Sequence, residues 1–137
     1  HLVDFPALVQ RIIYPRTDTP EAAWSAAANS GYAAAILAAN RMLFGGLWLF
    51  SPLPVGPGLA HVGIGFVYVI LARLTLRRSR IINSVILVLA VLESLIEAML
   101  IGEVRFNIVI VAAAFVLAVG GFRGANAIFA HLRNPRR

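Results

Sequence analysis

Cysteine is absent from this 137-residue chain, and so is lysine. Without cysteine there are no disulfides, no thiolate metal sites, no iron–sulfur clusters and no cysteine nucleophile, and the redox compartment is left open. Charge of either sign is scarce: Asp, Glu, Lys and Arg make up 13% of residues, only six are acidic, and all twelve basic ones are arginine. Motifs are missing as well. There is no HExxH, GxSxG, Walker A, Rossmann or EF-hand pattern, and no Ser–His–Asp set at matching depths, so nothing in the residues supports an enzyme or a bound cofactor.

What the chain has in excess is apolar surface. With 60% hydrophobic residues and a mean hydropathy of +0.83, it exceeds an ordinary soluble domain of this length, and the surplus has to face lipid. A helix crosses a hydrocarbon core of about 30 Å with about 20 mostly apolar residues. Four such runs are present, at 32–50, 59–76, 81–101 and 106–122. The expected fold is therefore an all-α integral membrane protein, a bundle of four transmembrane helices. It has an N-terminal amphipathic interfacial segment at 1–18 and a single transmembrane domain at 19–137, which ends in a basic tail.

Local signals place the elements. Leu2, Phe5, Leu8, Val9, Ile12 and Ile13 recur at helical spacing around Asp4, Gln10 and Arg11, the pattern of a helix lying on a membrane surface. The segment is too short and too interrupted by polar residues for the core of a signal peptide. Tyr14-Pro15-Arg16 ends it, and Thr19-Pro20-Glu21 supplies an N-cap, a first-turn proline and a first-turn acid for one long helix from about Pro20. Ser51 to Gly58, with three prolines, predicts a tight connection. Gly102-Glu103-Val104-Arg105 predicts another turn.

The arginines set the orientation. Arg77, Arg78 and Arg80 put the loop between spans two and three inside; Arg11 and Arg16 follow with the N-terminus, and Arg123, Arg133, Arg136 and Arg137 with the C-terminus. Both termini are then cytoplasmic, and only Arg105 falls outside. The formal net charge of +6 is explained by topology and by anionic lipid, at about 1 kcal/mol per Arg near the surface, without a nucleic acid. Arg73 snorkels with Arg77, Arg78 and Arg80 towards lipid headgroups.

The ionisable residues inside the spans are the candidate site. Arg41 lies roughly ten residues, about 15 Å, below the outer end of span one, and Glu93 roughly twelve residues, about 18 Å, above the inner end of span three. The two meet near the midplane, which predicts an intramembrane Arg41–Glu93 pair. An unpaired arginine at that depth would cost at least about 2.5–3.5 kcal/mol. Arg41 shares a stripe with the small residues Ala34, Ala38 and Gly45, and Glu93 shares one with Glu97, Ala90 and Asn83. His61, Gly65, Tyr68 and Ala72 line span two; Asn107, Val111, Ala114, Ala118 and Gly121 line span four.

The pair admits two readings, a staple fixing helix register or part of a proton or ion site with Glu97, His61 and Tyr68. His61, Glu97 and Glu103 converging near the outer surface would offer metal-ligand types without a known metal spacing. Gly120 and Gly124 form a small-xxx-small pair for helix packing, and Gly45-Gly46 marks a close crossing or a kink. Trp24 and Trp48 fit interfacial belts.

Phe122 to His131 resembles the ends of many small bacterial membrane proteins, which implies a bacterial source and nothing about activity; with the four spans, the expected location is the bacterial inner membrane. Two functions follow as expectations. One is an accessory or scaffolding subunit whose partners are other membrane subunits and anionic lipids. The other is a small proton- or ion-coupled transporter or channel using Glu93 and Glu97, oligomeric because four helices enclose little volume. In size the chain is similar to small multidrug transporters, but their essential Glu lies in the first helix.

Overall fold

A computed structural model of the chain describes residues 4–99 and 106–133. Among them every regular element is helical: α1 (Phe5–Ile13), α2 (Pro20–Ala27), α3 (Asn29–Leu49), α4 (Val55–Leu74) with a 3-10 turn at Thr75–Arg77, α5 (Arg80–Met99) and α6 (Phe106–Arg133). Among the described residues four stretches are long and apolar enough to cross a membrane: Pro20–Leu49, Val55–Arg77, Arg80–Met99 and Ile108–Arg133. Leu2, the Gly102-to-Arg105 turn with Glu103 and Arg105, the Asn107 side chain, and Arg136 and Arg137 lie outside the described residues.

Caps explain where the short helices begin. The Asp4 carboxylate accepts from the Ala7 amide at 3.4 Å, and the Thr19 hydroxyl accepts from Ala22 at 3.1 Å with Pro20 in the first turn. The long helix expected from Pro20 is interrupted once, at Ala28. Its amide bonds back only three residues, to Ser25, and its carbonyl receives both Gly31 and Tyr32, a tightened turn between α2 and α3.

The second correction is the start of α4, which is Val55 rather than Leu59. Pro57 falls in the first turn, where its missing N–H has no carbonyl to meet and its ring no preceding turn to clash with. Proline there is a helix opener. The connection shrinks to the residues around Ser51–Pro54, held by the Trp48 indole N–H donating to the Pro54 carbonyl at 2.7 Å. At the other end of α4, Arg78 closes the 3-10 turn in the left-handed region, φ 53°. That conformation costs an L-residue about 1–2 kcal/mol. Arg78 offsets it with bonds to the Trp24 carbonyl at 3.1 Å and the Thr75 carbonyl at 3.0 Å.

α3 is central: it packs on α4 along one side and on α6 along the other, while α5 packs mainly on α6 and barely meets α4. The core is built from small residues, Ala33, Ala34, Ala38, Ala90, Ala114 and Ala118, around Leu37, Tyr68, Leu71, Ile86 and Val111. Close approach does the work that side-chain volume does in soluble cores. A Cβ on Gly45 would sit 2.7 Å from Val62 and 2.9 Å from the Gly58 carbonyl, and one on Gly65 would sit 2.7 Å from Met42. Gly45 is therefore a close crossing, whereas Gly46 faces open space. Phe44, Phe66, Val88 and Leu92 point outward and are exposed, as expected of side chains that would contact lipid.

The C-terminal half of α6 carries the N-terminal helices. A Cβ on Gly120 would meet the Ile12 carbonyl, one on Gly121 the Ser30 side chain, and one on Gly124 the Ala26–Ala27 backbone. Thus α1, the start of α3 and α2 all rest on three glycines of one helix. α1 leans on protein there while keeping Phe5 and Leu8 exposed.

Candidate functional site

Arg41 and Glu93 are joined across α3 and α5. Arg41 Nη2 donates to Glu93 Oε1 at 2.6 Å and Nε donates to the same oxygen at 3.1 Å. The side chains are 14% and 9% exposed. The Tyr68 hydroxyl, on a residue only 2% exposed, adds a third bond to that oxygen from α4, at 3.0 Å. Arg41 Nη1 lies 2.8 Å from His61 Nδ1. A guanidinium only donates, so Nδ1 is the acceptor and the imidazole proton sits on Nε2.

The result is a four-residue cluster over three helices, in which each nitrogen of Arg41 has a partner. One cation and one anion cancel, and the neutral Tyr68 and His61 add a donor to Glu93 Oε1 and an acceptor for Arg41 Nη1. Glu93 accepts from three donor groups, all of them at Oε1. The cluster also bridges α4 and α5, which otherwise scarcely touch.

Other residues singled out from the sequence fall elsewhere. Glu97 lies one turn beyond Glu93 and is not part of the cluster. Its Oε2 is buried with no hydrogen-bond partner among the described residues, beside a cavity of about 170 Å³ between α5 and α6 lined by Ser94, Ala98, Ile108, Val111 and Ala112. His61 is committed to Arg41 and so does not converge with Glu97 near the outer surface. Among the described residues no three His, Cys, Asp or Glu side chains are placed to hold a metal ion. Ala34 and Ala38 are buried in the core, on the α3 stripe that carries Arg41.

No protein-family model, curated protein or solved structure matches the chain. Its chemistry has to be read from the residues alone.

The arginines at the α4–α5 end of the bundle divide into two kinds. Arg73 and Arg77 are exposed beside Ile70, Leu74 and Leu76, as snorkelling residues would be. Arg78 and Arg80 are engaged by protein: Arg78 lies 5.1 Å from the Trp24 ring centroid and Arg80 lies 4.6 Å from that of Phe129. Two further contacts had no prior sign in the sequence beyond helical spacing along α6. Arg123 stacks on Tyr14 at 4.0 Å, and His131 Nε2 lies 2.9 Å from the Thr17 carbonyl, to which it donates. With Gly120 and Gly124 they fasten the 14–19 connection to α6. Within that connection Arg16 grips Asp18 with Nε and Nη2, at 2.7 and 3.1 Å, and this hydrogen bonding holds the Asp18 carboxyl below its ordinary pKa.

Proposed function

We propose that the chain is an accessory or scaffolding subunit of a larger bacterial membrane assembly, acting through helix packing and lipid contact rather than catalysis. In this reading residues 19–137 form a four-helix transmembrane bundle in the bacterial inner membrane. The N-terminal segment lies at the inner interface, and both termini are cytoplasmic. The arginine distribution supports that orientation, with Arg77, Arg78 and Arg80 between α4 and α5 and Arg123 and Arg133 towards the end of α6.

The observation that carries the proposal is the closure of the polar cluster. Arg41, Glu93, His61 and Tyr68 are directed at one another, which is what a register-fixing staple requires. The outward faces are apolar and extend the length of the helices, available to lipid and to neighbouring subunits. Extraction in a mild detergent, crosslinking and mass spectrometry of the retained species test it. Co-purifying membrane subunits are expected; a chain recovered only as a monomer without partners would sink the proposal.

A second reading, a proton- or ion-coupled transporter or channel working as an oligomer, is favoured by one observation: the Oε2 of Glu97, buried beside a cavity with no partner among the described residues. Flux into liposomes tests it. Unchanged transport in Glu93→Gln and Glu97→Gln variants removes those acids as the site.

A further inference from the structure

The concave surface between α1 and α2 is the feature that neither reading uses. It is a notch of about 280 Å³ lined by Arg11, Pro15, Arg16, Ala22, Ser25, Ala26 and Asn29. Two arginines, a serine and an asparagine are the polar residues among those that line it, and none of them is an acid. This donor set suits an oxyanion: arginine forks match phosphate oxygens, and the Ser25 and Asn29 side chains can add neutral donors.

The charge narrows the choice. Arg16 is held by Asp18 through Nε and Nη2, which fixes its plane and neutralises one of the two cations, leaving Nη1 outside that contact. Arg11 and Arg16 less Asp18 leave one net positive charge. A phosphodiester carries one negative charge and a phosphomonoester close to two at neutral pH, so the match is to a diester.

Position narrows it further. α1 forms one wall of the notch, and its Phe5 and Leu8 are exposed. A ligand with a phosphodiester head and apolar tails would place its head between Arg11 and Arg16 and run its chains beside these residues. The notch also sits where Gly120 and Gly124 fasten α1 and α2 to α6, on the side of the chain that the arginines place at the inner leaflet.

We infer that the α1–α2 notch binds the phosphodiester headgroup of an anionic phospholipid of the inner leaflet, with Arg11 and Arg16 as the principal contacts and Ser25 and Asn29 as supporting donors. The site is separate from the Arg41–Glu93 cluster and stands whichever function proves right. Its effect would be to make α1 docking depend on lipid, so that the N-terminal helices are completed by the membrane they meet.

The test is native mass spectrometry of the purified chain in neutral detergent, titrated with phosphatidylglycerol and, separately, with diacylglycerol, which lacks the phosphate. Phosphatidylglycerol is expected to bind roughly tenfold more tightly, and Arg11→Gln with Arg16→Gln to remove that advantage. Ser25→Phe fills the notch from an exposed position while keeping both arginines, and it should abolish the preference in a chain that still folds. The Arg73→Gln, Arg77→Gln pair should leave it intact. An equal loss in that pair, or full preference in Ser25→Phe, overturns the site. Displacement of phosphatidylglycerol by inorganic phosphate or glycerophosphoglycerol at matching concentration would assign a free oxyanion instead and overturn the lipid assignment.

Discussion

Arg41 addresses Glu93 through a single oxygen: Nε and Nη2 both reach Oε1, at 3.1 and 2.6 Å, and Tyr68 reaches the same atom from a third helix. The carboxylate is therefore a junction between helices rather than half of an isolated pair. Removing either charge would strand the other in a largely buried setting. Glu93→Gln or Arg41→Leu is expected to destabilise the folded chain by about 3–5 kcal/mol, whereas Arg41→Met with Glu93→Leu should recover most of that loss. Equilibrium unfolding in mixed detergent measures it; a double variant as unstable as either single one would contradict the staple.

Tyr68 contributes less. Tyr68→Phe keeps the ring in the core and deletes one bond to Glu93, so the expected loss is about 0.6 kcal/mol, the average for hydrogen bonds between membrane helices. His61→Ala removes the acceptor for Arg41 Nη1 and should exceed Tyr68→Phe, since it leaves a charged donor without its partner. The same unfolding assay ranks the two, and the reverse order would show that the His61 contact carries little.

Much of this arrangement is legible before any coordinates. Hydropathy marks the four long apolar helices because lipid exposure demands them, and counting helical rise from opposite ends puts Arg41 and Glu93 at one depth. What composition hides is mutual placement. His61 reads as an outer-surface residue only when Pro57 is taken for a loop residue; starting α4 at Val55 puts it well inside the helix and in reach of Arg41. Gly120 and Gly124 read as a generic packing pair, but which helices they receive depends on how α1 and α2 fold back, and no local pattern encodes that. The pause at Ala28 is likewise invisible, because alanine is a strong helix former and its amide takes a three-residue bond only in this context.

The glycines of α6 and those of the α3–α4 crossing make different predictions. Gly124→Val would drive a side chain into the Ala26–Ala27 backbone and displace α2 with α1, leaving the four long helices in place. Limited proteolysis should then open the 14–19 connection while the cluster-dependent stability changes little. Gly65→Val, facing Met42 and the Ala38 carbonyl, should instead separate α3 from α4 and weaken the His61 and Tyr68 contacts. Equal proteolysis of 14–19 in both variants would show that the two packing sites are not independent.

The Arg16–Asp18 pair has a defined response to pH. The Arg16 hydrogen bonds lower the Asp18 pKa from its ordinary value of 3.8, so whatever the pair contributes is fully present above that value and is lost as pH falls through the lower folded one. Both side chains are exposed, at 76% and 60%, and the energetic contribution is correspondingly small. Carboxyl carbon chemical shifts of Asp18 should therefore be flat from pH 8 to 5 and titrate below the ordinary aspartate range. A normal titration would mean that the pair does not persist in the membrane-mimetic sample.

Because the chain has no native cysteine, single introduced cysteines report topology against an empty background. Ser51→Cys, in the α3–α4 connection, and Ser79→Cys, in the α4–α5 connection, lie at opposite ends of α4. In the proposed orientation, which puts Arg77, Arg78 and Arg80 on the cytoplasmic side, a membrane-impermeant maleimide added to intact spheroplasts should label position 51 and spare position 79 until the membrane is opened. The converse pattern would invert the bundle and place the α1–α2 notch at the outer leaflet. Labelling of both in intact spheroplasts would mean that α4 does not span, since one crossing must separate its two ends.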